Sequence, residues 1–181
     1  IAAMREVLVI KGLRVLTVIQ VKGRGKMPSF EDTATLEEFR CPIGMLTSDI
    51  DAALQAPALR ELSVQWSKLD IPLVRAMAAK PTLQKLDIEV TSFDDEMAEV
   101  IASHPTLTGL DVGNTRLTAR GLARICRMRQ LESLDLWETD IRIDELQRLT
   151  ALDRLEYRSL GKVDGSQTQG IRVDGAPSHD A

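Results

Sequence analysis

The chain has 181 residues, with 23 Lys+Arg against 27 Asp+Glu and a formal net charge of −4; 44% is hydrophobic and only 3% aromatic. That length suits one domain with a sizeable core, which aliphatic side chains must fill. Mild acidity without a basic stripe argues against nucleic acid, no apolar run reaches the ~20 residues of a membrane span, and the first residues do not read as a signal peptide.

The chain begins with Ile1 rather than Met and is read as a fragment of something longer. Its first predicted strand carries Leu13, Leu16 and Val18, spaced as L-x-x-L-x-Φ with Φ apolar. The stretch VKGRGKMPSFEDTAT, Val21 to Thr35, sets basic residues and glycines where a helix would follow, and is read as a loop. The spacing returns at Leu36-Phe39-Cys41, Leu59-Leu62-Val64, Leu83-Leu86-Ile88, Leu107-Leu110-Val112, Leu131-Leu134-Leu136 and Leu152-Leu155-Tyr157. The starts fall at 13, 36, 59, 83, 107, 131 and 152, so the steps are 23, 23, 24, 24, 24 and 21. Seven copies at so regular a step are an internal repeat.

Each strand leads to a further apolar residue five positions beyond Φ: Leu46, Leu69, Phe93, Leu117 and Ile141. In four units Thr47, Asp70, Asp94 or Thr118 comes next, the residue types that cap a helix start. Apolar sets at i, i+3 and i+4 follow: Val74, Met77, Ala78; Ala98, Ile101, Ala102; Leu122, Ile125, Cys126. Each is a short helix with one buried stripe; Pro57, Pro81 and Pro105 stop a helix two residues before the next leucine. Repeats are expected over residues 1–160, the first two irregular. Residues 161–181, GKVDGSQTQGIRVDGAPSHDA, are expected to form a polar tail.

The 24-residue unit L-x-x-L-x-Φ-x-x-[ST]-x-Φ resembles the leucine-rich repeat. The wording TLTGLDVGNTRLTARGLARI is similar to GALA-type repeats of secreted effectors from plant-pathogenic bacteria. In the usual repeat an asparagine at the ninth position bonds the backbone of adjacent turns; here Ser67, Thr91, Thr115 and Thr139 stand there. The resemblance implies an α/β fold, a right-handed solenoid of about seven repeats with a parallel concave sheet and short convex helices. Physical reasoning agrees, since no single unit can bury its own leucines and the stack must supply the core. Nothing in residues 1 to 58 reads like the F-box that GALA proteins carry.

Catalytic chemistry is not legible. His104, before Pro105 at a helix end, is expected to be solvated, and His179 falls in the tail. Neither has a cysteine, serine or carboxylate at catalytic spacing, and no GxSxG, HExxH or P-loop occurs. Gly23-Arg24-Gly25 reads as a flexible turn. Cys41 and Cys126 are expected inside the core, three units apart and beyond disulfide reach, which suits a reducing, cytoplasmic-type compartment. No cofactor, metal or catalytic residue is assigned, and this segment is not read as an enzyme.

The candidate site is the concave face. Between the second leucine and Φ stand Thr17, Arg40, Ser63, Asp87, Asp111, Asp135 and Glu156, so four acids are expected on adjacent strands ~4.8 Å apart. Two readings stay open. The acids await a cationic partner, since like charges at that distance repel by about 1 kcal/mol even in water, or each bonds its own backbone locally. Trp66 and Trp137 are expected on the same face or its rim, either as binding hot spots or lying flat on neighbouring strands. The function expected is a protein-interaction module that binds a basic or amphipathic protein surface, in the context of a bacterial effector acting in a host cell. The alternatives are a substrate-recognition segment for a catalytic domain outside the fragment, such as a ubiquitin ligase, and a purely structural array.

Overall fold

The computed structural model describes residues 11–18, 29–41 and 45–160, with the backbone of 171 and 172. Gly23-Arg24-Gly25, His179 and most of the expected tail lie outside these residues. Seven strands run parallel in chain order: β1 (Val15–Thr17), β2 (Glu38–Arg40), β3 (Glu61–Ser63), β4 (Lys85–Asp87), β5 (Gly109–Asp111), β6 (Ser133–Asp135) and β7 (Tyr157–Leu160). A further strand, β8 (Ile171–Arg172), pairs antiparallel with β7, so the sheet draws on chain beyond residue 160. No helix among the described residues is long and apolar enough to cross a membrane.

Each strand from β2 to β6 points its middle residue inward. Leu16, Phe39, Leu62, Leu86, Leu110 and Leu134 form one row across the sheet. The first leucines, Leu59, Leu83, Leu107 and Leu131, and the Φ residues Val64, Ile88, Val112 and Leu136 are buried in the same core. Phe30, from the predicted loop, is buried too and meets the Phe39 ring edge-on at 5.4 Å.

Among the described residues four helices cover the other side of this core: α1 (Thr47–Leu54), α2 (Ile71–Ala78), α3 (Asp95–Ile101) and α4 (Ala119–Ile125), followed by a 3-10 helix, Ile143–Ala151. Neighbouring helices pack on one another. Asp70 accepts the Leu73 N–H at 2.9 Å, Asp94 the Met97 N–H at 3.0 Å, and Thr118 the Arg120 N–H at 3.3 Å. These are the expected caps. The first helix departs from expectation: Leu46 occupies the N-cap with no side-chain bond and is 70% exposed, while Met45 packs against the core. The N-cap residues Leu46, Asp70, Asp94 and Thr118 keep a step of 24, whereas Phe39 to Leu62 is 23. One residue is therefore missing between Cys41 and Met45, and counting from the strand lands one position late.

The last expected unit is also displaced. Leu134 pairs with Arg158 and Asp135 with Ser159. The Glu156 N–H donates to the Glu132 carbonyl at 2.8 Å, as Thr108 N–H does to Gln84. Leu155 is thus the first leucine of this unit, at a step of 24 from Leu131, and Leu152 belongs to the preceding turn. A second leucine three residues upstream, and arginine where the second leucine should stand, let the pattern slide by three.

His104 is not solvated. It is buried at the end of α3's turn, with Nε2 3.0 Å from the Lys80 carbonyl of the previous unit. Nδ1 accepts the N–H groups of Thr106 at 3.2 Å and Leu107 at 3.1 Å. These bonds select the neutral Nε2–H tautomer. Cys41 and Cys126 are buried thiols, as expected. The ninth-position hydroxyls of Thr91, Thr115 and Thr139 bond carbonyls of their own turn, three residues back. Ser67, which accepts the Met45 N–H, and Ser92, which bonds both Leu69 backbone groups, do link neighbouring units.

Candidate functional site

Among the described residues nothing covers the sheet face away from the helices, which holds an open groove of about 530 Å³ lined by residues of β1 to β6. Three rows of side chains make this face. The first runs Glu38, Glu61, Lys85, Gly109, Ser133; the second runs Arg40, Ser63, Asp87, Asp111, Asp135. The third lies two residues past the second: Gln65, Glu89, Gly113, Trp137.

Register brings Asp87, Asp111 and Asp135 onto adjacent strands, as expected. Each also bonds the backbone two residues on: Asp87 Oδ1 accepts the Glu89 N–H at 3.1 Å, Asp111 Oδ1 the Gly113 N–H at 2.9 Å, and Asp135 Oδ1 the Trp137 N–H at 2.8 Å. The local reading therefore holds for all three. Asp87 Oδ2 is further held by Ser63 Oγ at 2.7 Å and Gln65 Nε2 at 2.8 Å. Glu156 does not join this row. It is exposed, and stands in line with Glu132 on the chain leading into its strand.

Charge is unevenly spread along the groove. At its β2–β4 end, Arg40 pairs with Glu38 and, at 3.9 Å, with Glu61, and Lys85 Nζ lies 2.9 Å from Glu61. Those four groups neutralise one another. Among the described residues no ion pair reaches Asp87, Glu89 or Asp111. Burial pushes the Asp111 carboxyl up to about 7 against the favourable Gly113 N–H bond, and Asp135, Asp87 and Glu89 add to the rise. Glu89 is raised by burial and then by Asp87 and Asp135. Carboxylate oxygens of Asp87, Glu89 and Asp111 lie within 4.8 Å of one another, so these three could approach one cation.

Glu89 was not singled out from sequence. Its signal is the third row, where it stands 24 residues before Gly113 and 48 before Trp137. Trp137 is 39% exposed in that same row. Neither tryptophan lines the groove itself; Trp66 lies one residue farther round the turn and is 64% exposed. Its backbone is left-handed, φ 58°, as is that of Val90 (54°), Asn114 (48°) and Glu138 (51°), each 24 residues on. Trp66 is a rim residue.

No protein-family model matches this sequence, and no curated protein matches it. Solved structures do. An internalin from Listeria monocytogenes superposes with a TM-score of 0.59 at 15% identity, over 86% of this chain and 50% of its own. The plant peptide hormone receptor RGFR1 in complex with RGF2 superposes with a TM-score of 0.53 at 16% identity, over 85% of this chain and 26% of its own. Both are leucine-rich-repeat proteins, and the fold here is of that kind. The chain spans half the length of the internalin structure and about a quarter of the receptor.

Proposed function

We propose that this segment is a protein-binding module whose concave sheet face receives a segment of a partner protein. One observation carries the reading: among the described residues the sheet is packed by helices on one side and left open on the other, where side chains vary from strand to strand over a constant leucine row from β3 to β6. A surface of constant shape and variable chemistry suits recognition. The receptor neighbour, solved in complex with RGF2, supports a peptide or protein partner. About seven turns of a right-handed solenoid are the reading of the stack. The aspartates of the groove form its centre, with Trp137 beside them in the next row and Trp66 on the rim. The GALA-like repeat wording supports a secreted bacterial effector as the setting, and the buried thiols suit a reducing compartment.

The test compares three immobilised baits in one extract: the parent, Ser63→Trp in the groove, and Arg124→Glu on α4. A protein retained by the parent and by Arg124→Glu, and lost with Ser63→Trp, supports the reading. Equal retention by all three sinks it.

A further inference from the structure

The groove has a neutral half and an acidic half, and the acidic half is built around one strand. On β5 the only side chain that rises from this face is Asp111, because its neighbours in the other two rows are Gly109 and Gly113. Glycine in a strand weakens it and marks places where another backbone or a ligand comes close. Lys85 and Ser133 close in on Gly109 from either side, where a Cβ would meet Ser133 Oγ at 3.0 Å and Lys85 Cγ at 3.1 Å. Gly113 is hemmed by Asp111 Oδ1 and the Trp137 carbonyl, each 3.2 Å from such a Cβ. Gly109 and Asp111 both line the open groove, so the face over β5 is a dip with a half-buried carboxyl in its floor, walled by Lys85 and Asp87 on one side and by Ser133 and Asp135 on the other.

We propose that the occupant of this dip is a lysine or arginine side chain of an extended partner segment, which lies across the strands with an uncharged stretch over β2 and β3. The inference rests on the concave-face reading and names the chemistry of the partner. Charge complementarity sets the orientation. The β2–β4 end already balances its own charges, while Asp87, Glu89 and Asp111 have no cation among the described residues. A guanidinium or ammonium seated over Asp111 supplies one.

Proton linkage follows from the same geometry. Asp111, pushed up to about 7, faces Asp87 and Glu89 from β4 and its turn, Asp135 from β6, and Lys85 beside Gly109. A bound cation favours its ionised form, so binding releases a proton and tightens by about tenfold from pH 6 to pH 8.

The test selects a displayed library of random peptides on the whole domain, then measures the enriched peptides on variants. Enrichment of lysine- or arginine-bearing peptides is expected, with affinity at least about tenfold weaker on Asp111→Asn. Asparagine keeps the acceptor for the Gly113 N–H, so the turn survives and only the charge is lost. Ser133→Lys, which sets a resident ammonium beside Gly109, should abolish binding in a domain that still unfolds cooperatively. If the peptides ignore both variants yet are lost with Ser63→Trp, the groove reading stands and the slot is wrong. If all three variants bind as the parent does, both fall. Enrichment without cationic peptides overturns the slot.

Discussion

The His104 ring joins two consecutive units: Nε2 lies 3.0 Å from the Lys80 carbonyl, while Nδ1 takes two N–H groups of its own turn. Burial holds its pKa below the usual 6.5, against the Lys80 bond. The unfolded chain therefore binds the proton first, so this group's contribution is complete above about pH 6.5 and declines as the pH falls below it. Urea unfolding should show stability dropping from pH 7.5 to pH 5.5 in the parent and less steeply in His104→Gln. His104→Ala should cost about 1–3 kcal/mol at neutral pH, because the buried Leu107 N–H and the half-buried Thr106 N–H lose their acceptor. Parallel pH profiles for parent and glutamine variant would refute this role.

Asp111 has the opposite sign. Its folded-state pKa, about 7, is above the ordinary 3.8, so the folded chain holds the extra proton between those values. Its contribution is favourable at low pH and is lost as the pH rises toward 7. Asp111→Asn should therefore raise stability by about 1–2 kcal/mol at pH 8, after discounting for solvent screening, and by little at pH 4. Equal gains at both pH values would mean that charge is not the cause.

Leu46→Ser should stabilise the domain. The leucine is 70% exposed at an N-cap with extended backbone, and it offers α1 no side-chain acceptor. Serine supplies one, worth about 0.5–2 kcal/mol, and removes an exposed apolar side chain. A lower denaturation midpoint would show that Leu46 is held by contacts of its own.

Leu110→Ala should cost about 2–5 kcal/mol, since the side chain is 2% exposed at the centre of the leucine row. The loss should reach neighbouring units, because each strand's leucine packs against the next. Hydrogen exchange that speeds only within residues 105–112 would contradict such coupling.

The leucine row was legible because an inward position on a three-residue strand accepts little but a large aliphatic side chain. Leu62, Leu86, Leu110 and Leu134 had no alternative reading. The Asp87, Asp111, Asp135 row followed from it by alternation alone. Positions where insertion or substitution breaks the step were not legible. Leu46 was misplaced by a single missing residue, and Glu156 by a spare leucine at 152. His104 was misread because a polar residue before proline looks exposed; only its alignment with Met128 and Leu152, both buried, marks it as interior. Glu89 was missed because the strand pattern ends before it, and its row emerges only when the turns are laid over one another.

At the turn after each strand, Trp66, Val90, Asn114 and Glu138 share one left-handed backbone conformation, which costs most residues other than glycine about 1–2 kcal/mol. An indole, a β-branched aliphatic, an amide and a carboxylate have no common preference for it. The conformation is imposed from outside, by N–H bonds from Trp66 to Glu89 and from Val90 to Gly113 on the following unit. Each coil thus moulds the one before it, and the residue at the bend is released from any duty to the architecture. Mutation can exchange side chains there without reshaping the molecule, so a lineage could search new rim chemistries while its scaffold stays the same.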